Sequence, residues 1–251
     1  PHEIQKRAFQ YTEEKGVFEE FYMRASTGKN SDYNGEDEDR ILAFCSMFGF
    51  LCHNYKDRAN NPCIVLTDYD ADGRTRNGGR GKSLLIQAIK HVKETKVKGG
   101  MEFDPNYTFV FADLEKSDRV YAIDDVPSNF DYESLYTNIL GDISCQRKGS
   151  KAESIDFKES PKFMITTNWV IPYDKKNNST NRRFVEYKFT DYYNLERTPK
   201  DEFGQIFFDD WDSEEWDRFY SFVFRCVELF FDKGLIRIEY NKDVDNYKAC
   251  F

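Results

Sequence analysis

No run of about 18 consecutive apolar residues occurs in the chain, and no basic start leads into an apolar stretch, so the sequence offers neither a membrane-spanning helix nor a secretory leader. Cysteine is present but never at C-x-x-C spacing: Cys45, Cys52, Cys63, Cys145, Cys226 and Cys250 are scattered, as are the three histidines His2, His53 and His91. That scatter excludes the common zinc-ligand patterns and a disulfide framework. Cys45 with Cys52-His53 comes nearest to a metal cluster and reads as core or surface instead. These absences lead us to expect a reduced, soluble, cytoplasmic chain with no membrane partner. Positive charge is short as well, with 36 Lys+Arg against 45 Asp+Glu and a net charge of -9. Proteins that coat duplex DNA are normally basic, so any nucleic-acid contact must be confined to a local basic loop or to a channel built from several copies. The chain opens on Pro1, which leads us to expect an excised domain or a processed fragment.

Apolar and aromatic residues are plentiful. Hydrophobic residues make up 39% of the 251 and aromatics 17%, with 23 Phe and 16 Tyr, which excludes general disorder. The length suits one large α/β domain or a main domain with a small helical companion.

The most informative stretch is residues 77–83, Asn-Gly-Gly-Arg-Gly-Lys-Ser. Gly78, Gly79, Arg80 and Gly81 form a turn able to aim backbone N–H groups at an anion, and Lys82 and Ser83 open a predicted helix whose positive end faces the same point. The run matches the second half of the P-loop pattern G-x-x-x-x-G-K-[ST], with Arg76 at the position of its first glycine. Ahead of it, Asp68, Asp70, Asp72 and Gly73 follow the opening of a calcium loop. Gly79 stands where that loop needs its closing Glu, so a long solvated connector is the better reading.

Periodicity predicts two short helices within residues 5–25, a loop over 26–40 and a buried helix over 41–51. Strands are expected at 62–67, 107–112, 120–125, 162–168 and 183–189. Helices are expected from Lys82 to about Val92, over 131–140 and over 214–231, and a basic hairpin over 141–160 with its tip at Gly149-Ser150. Strands alternating with helices behind a glycine-rich turn indicate an open parallel α/β sheet.

Nucleotide hydrolysis needs a magnesium carboxylate and a second acid at the sheet edge that holds the phosphate cradle, and Ile123-Asp124-Asp125 ends a predicted strand. A simple Asp-Asp turn is the plain alternative. Asn168, at the end of another strand behind Thr166 and Thr167, can hold an attacking water or a γ-phosphate. Arg182 or Arg183 can neutralise charge on the γ-phosphate of a neighbouring copy, or be a surface pair. Arg147, Lys148 and Lys151 supply a local basic patch for a DNA backbone, or a solvated hairpin tip.

Taken in order, the Gly-Lys-Ser83 cradle, Val-Tyr-Ala-Ile-Asp-Asp125, the hairpin around Lys148 and Lys151, Lys-Phe-Met-Ile-Thr-Thr-Asn168 and Asn-Arg-Arg-Phe184 resemble the superfamily 3 helicases, especially those of phage, plasmid and poxvirus-type primase-helicases. The resemblance spans about residues 60–190. It implies an α/β P-loop NTPase with an AAA+-like parallel sheet core and flanking helices, divided into a small N-terminal helical region at 1–58, an ATPase core at 59–200 and a C-terminal helical lid or tail at 201–251. It further implies ATP and Mg2+ as cofactors, Lys82 and Ser83 as the cradle pair, and Ser83 and Asp124 at the magnesium. Asp125 would activate water, Asn168 would be the sensor, and Arg182 or Arg183 the arginine finger. Arg147, Lys148 and Lys151 would lie on the DNA-tracking hairpin. The implied function is a helicase or translocase motor of a replication protein, acting on single-stranded DNA in the channel of a homo-oligomeric ring, commonly a hexamer, with a fused or separate primase. The alternatives are an ATPase for DNA packaging or macromolecular remodelling, and a catalytically weak oligomerisation or DNA-binding module.

Overall fold

The computed structural model describes residues 8–69, 78–171 and 178–240. Asp70, Asp72, Gly73 and Arg76, on which the calcium-loop and first-glycine readings rest, lie outside the described residues. The centre of the fold is a sheet of five strands: β1 (Cys63–Asp68), β2 (Thr95–Gly99), β3 (Val120–Asp124), β6 (Lys162–Thr166) and β7 (Phe184–Phe189), in spatial order β2-β3-β6-β1-β7. Every pairing is parallel. β4 (Ile143–Cys145) and β5 (Glu153–Ile155) form a separate antiparallel hairpin. The central strands are buried along their length, which is why they read as continuous apolar runs instead of alternating ones.

Alternate residues of the strands feed two cores. On one face Ile64, Leu66, Ala122, Met164 and Tyr187 pack under α1 (Val17–Thr27), α2 (Gly35–Cys52), α3 (Lys82–Lys90) and α7 (Ser213–Lys233). On the other face Val65, Tyr121, Ile123, Phe163 and Ile165 meet Phe103, Phe111, Leu135 and Ile139. Leu135 ends a 3-10 turn (Tyr132–Leu135), which runs into α4 (Tyr136–Leu140). The helices from residues 1–58 and 201–251 thus share the first core with the sheet. Among the described residues no helix is long and apolar enough to cross a membrane.

The closest helix contact is between α2 and α7. A Cβ on Gly49 would stand 2.0 Å from the backbone oxygen of Cys226. Gly49→Ala must therefore push two helices apart; we expect a loss of at least about 2 kcal/mol and a melting temperature lowered by about 5 °C, read by thermal unfolding. At the far end of α2, Lys162 Nζ donates to the carbonyls of Phe50 and His53 and so ties the last turn of the helix to the start of β6.

Several expectations are corrected. Residues 8–16 are not helical: they run along α7, with the Thr12 amide donating to Ser221 Oγ at 3.0 Å and Arg225 to the Thr12 carbonyl at 3.0 Å, and Gly16 precedes α1 as its N-cap. The loop over 26–40 is shorter than expected, because Asn34 and Asp37 exchange hydrogen bonds in a capping box that starts α2 at Gly35. Residues 107–112 form turns, with Phe111 buried as a loop side chain against Tyr121 and Phe163. β2 is instead the polar Thr-Lys-Val-Lys-Gly segment just ahead, half-exposed as the sheet's edge strand. Two short helices, α5 (Asn178–Arg183) and α6 (Pro199–Phe203), were not expected.

Candidate functional site

β6 lies between β1 and β3, so three strands deliver their carboxyl ends side by side: Asp68 from β1, Asp124 and Asp125 from β3, and Thr166 to Asn168 from β6. α3 begins over the same edge. Gly79 and Gly81 take left-handed φ values of 88° and 103°, and Gly81 caps the start of α3. The turn is pressed from behind by α1: a Cβ on Gly81 would lie 2.5 Å from the Phe21 ring, and Tyr22 Oη donates to the Gly81 carbonyl at 2.8 Å. Only glycine satisfies both the φ and the approach.

These elements enclose a cleft of about 490 Å³ lined by Gly78 to Leu84, Asp124, Asp125, Thr166, Asn168, Phe21 and Pro199. A chain of hydrogen bonds crosses its floor. Lys82 Nζ meets Asp68 Oδ1 at 2.5 Å and donates to Asn168 Oδ1 at 2.8 Å, and Asn168 Nδ2 donates to Asp125 Oδ1 at 2.9 Å. Asp124 Oδ1 accepts from Thr166 Oγ1 at 2.6 Å, and that hydroxyl also accepts from the Asp125 amide at 2.8 Å. Asp125 sits at a φ of 57°, a strained conformation for a non-glycine residue that projects its exposed side chain into the cleft beside the half-buried Asp124. Burial pulls the Lys82 ammonium below its ordinary range, and Asp68 pulls it the other way. Arg80, also buried, adds a second positive charge to the lining.

The expected cradle, acids and sensor, Gly78 to Ser83, Asp124, Asp125 and Asn168, are thus brought together. Arg182 and Arg183 are not. They end α5 just before Phe184, which pairs with Cys63 at the start of β1, so they lie at the opposite edge of the sheet, roughly 17 Å of strand away. Arg182 is exposed, and its carbonyl accepts from Arg237 at 3.2 Å. Arg183 lies over the Tyr136 ring at 4.7 Å. In the hairpin, Arg147 is engaged by the body of the protein: it donates to the Ala112 carbonyl at 2.9 Å and the Leu114 carbonyl at 2.8 Å. Lys148 and Lys151 are exposed at the tip.

Sequence reasoning missed Asp68, Phe21 and Tyr22 as parts of the site; it expected Thr166 to support Asn168, and the structure gives that hydroxyl a bridge from Asp124 to the Asp125 amide. Asp68 has a signal, an acid ending the strand that leads into the cradle, but the sequence reading assigns it to a long solvated connector.

Among solved structures, the A form apo structure of the NrS-1 C-terminal region is similar to this chain, with a TM-score of 0.50 and 16% identity, over 98% of this chain and 51% of that one. The chain therefore spans about half the length of that structure, and at this identity the likeness is one of fold. It agrees with an α/β architecture whose parallel sheet is flanked by helices. No family model and no curated protein matches the chain.

Proposed function

We propose that the cleft binds ATP with Mg2+ and hydrolyses it, and that the chain is a motor domain that moves single-stranded DNA through a ring of copies, six by the resemblance drawn from its sequence. The observation that carries this reading is the convergence of Lys82, Ser83, Asp124, Asp125 and Asn168 on one cleft at the carboxyl edge of a parallel sheet.

The residues fit the nucleotide and the metal. A Cβ on Gly78 would meet no atom within 4 Å, and the adjoining N-terminus of α3 supplies backbone N–H groups suited to a phosphate. Ser83 and Asp124 offer hard oxygen donors; magnesium held by these two and by phosphate oxygens needs no further protein carboxylate. Among the described residues no group of three His, Cys, Asp or Glu converges. Bound there, the ion would offset charge on the β- and γ-phosphate oxygens.

Lys82 donates to the β/γ oxygens. Asp125 takes the proton of the attacking water, with the Asn168 amide fixing its carboxylate at 2.9 Å and, through Oδ1, reading the position of Lys82. Arg182 stands at the far edge of the sheet from its own cleft, so the γ-phosphate charge it meets is that of an adjacent copy, beside the Arg80 that lines each cleft. Arg182 suits this role better than Arg183, which is occupied with Tyr136.

Exposed at the hairpin tip, Lys148 and Lys151 are placed to touch the DNA backbone, while Arg147 braces the hairpin. Replacing both lysines by alanine is expected to abolish stimulation of ATP hydrolysis by single-stranded DNA. It should also reduce the slope of log K against log salt by about 1.4, two contacts at about 0.7 each. Hydrolysis indifferent to every DNA offered would shift the reading to remodelling of another macromolecule.

A further inference from the structure

Asp68 is the last residue of β1 and is 1% exposed, and Lys82 is the first residue of α3 and is 8% exposed. Their side chains meet at 2.5 Å. An ammonium has three N–H donors, and Asp68 with Asn168 already takes two of them. The carboxylate cannot withdraw by a shift of its backbone, because Asp68 is paired with Phe189 in the sheet and the next amide, of Tyr69, donates to the Phe189 carbonyl at 2.8 Å. A phosphate entering the cradle must therefore take Lys82 from this carboxylate or share it, and in either case brings its own negative charge beside a buried anion. Asp124 and Asp125 on the opposite wall add to the repulsion.

We propose that Asp68 is a resident anion that competes with bound phosphate for Lys82, lowering the affinity of the cleft for nucleotide and hastening release of the diphosphate. The inference rests on the nucleotide reading of the cleft given above. It assigns Asp68 a positioning and affinity-setting role, distinct from that of the acids on β3. A diphosphate is the ligand most exposed to this competition, since without a γ-phosphate it has fewer oxygens with which to hold the lysine.

The test is calorimetric titration of the whole chain with inorganic pyrophosphate and with ADP, comparing wild type, Asp68→Asn and Lys82→Ala, with ADP release followed by stopped flow. Asp68→Asn keeps the shape and removes the charge. It is expected to bind both probes at least about tenfold more tightly and to release ADP correspondingly more slowly. Affinity equal to or weaker than wild type would overturn the proposal and leave Asp68 as a group that only orients the lysine. Asp68→Ser, expected to move affinity in the same direction, serves if the asparagine variant does not fold. If wild type and Lys82→Ala bind pyrophosphate equally, the nucleotide reading itself fails and takes this inference with it. If they differ and Asp68→Asn matches wild type, only the role of Asp68 fails.

Discussion

Lys82→Ala is expected to lower ATP turnover by about a hundredfold to a thousandfold, the scale of losing a preorganised donor to developing charge. Among the described residues lining the cleft, Lys82 and Arg80 are the basic side chains, and Lys82 is the one joined to both Asp68 and Asn168. The substitution has a second effect that must be separated from the first. It takes one partner, the Lys82 ammonium, from the buried Asp68 carboxylate, which lowers stability. The double variant Asp68→Asn/Lys82→Ala removes that penalty. Its melting temperature should return toward wild type while turnover stays lost. Turnover that survives in Lys82→Ala, or that recovers together with stability in the double variant, would remove Lys82 from the chemistry.

Arg182→Ala is expected to reduce turnover by about a thousandfold or more, the effect of an arginine supplied to a γ-phosphate from outside the site. Arg182 is exposed at the far edge of the sheet, held there by Arg237 donating to the carbonyls of Asn181, Arg182 and Phe184, so the effect must arise between copies. A mixing experiment reads this directly. Arg182→Ala copies keep an intact cleft and Lys82→Ala copies keep the arginine, so an equimolar mixture should regain part of the activity that neither has alone. No recovery on mixing, or full activity in Arg182→Ala by itself, would dismiss the assignment. Nucleotide affinity should change far less than turnover, because Arg182 touches no ligand in its own chain.

The site was legible in the sequence wherever local chemistry and strand position coincide. Gly-Lys-Ser83 needs a turn and a helix start, and Asp124-Asp125 and Asn168 need only to end their strands on the same edge, which a parallel sheet guarantees. What escaped depends on partners distant in the chain. Asp68 has no local mark that separates a lysine's counter-ion from a metal ligand; only the position of α3 decides it. Phe21 and Tyr22 have the spacing of core residues and are core residues, yet they also shape the cradle by pressing on Gly81. β2 was missed because an edge strand bearing Lys96 and Lys98 has no apolar pattern to display, and 107–112 was mistaken for a strand because buried loop aromatics imitate one. The start of α2 is a different case: Asn34-Gly-Glu-Asp37 is a readable capping signal that the surrounding glycine and acidic residues obscured.

The placement of Arg182 and the cleft on opposite edges of one sheet restricts how identical copies can be arranged to work together. Two antiparallel copies about a twofold axis would set each arginine edge beside the other's cleft edge and complete both sites at once, whereas copies facing the same way would each complete only the next. On the ring reading proposed above the contact would be head-to-tail, which leaves one donor and one acceptor unsatisfied at the ends of any open row. In such a row the ends would disappear only on closure, so a head-to-tail assembly would reach catalytic completeness only as a closed ring, while a twofold pair would reach it with two copies.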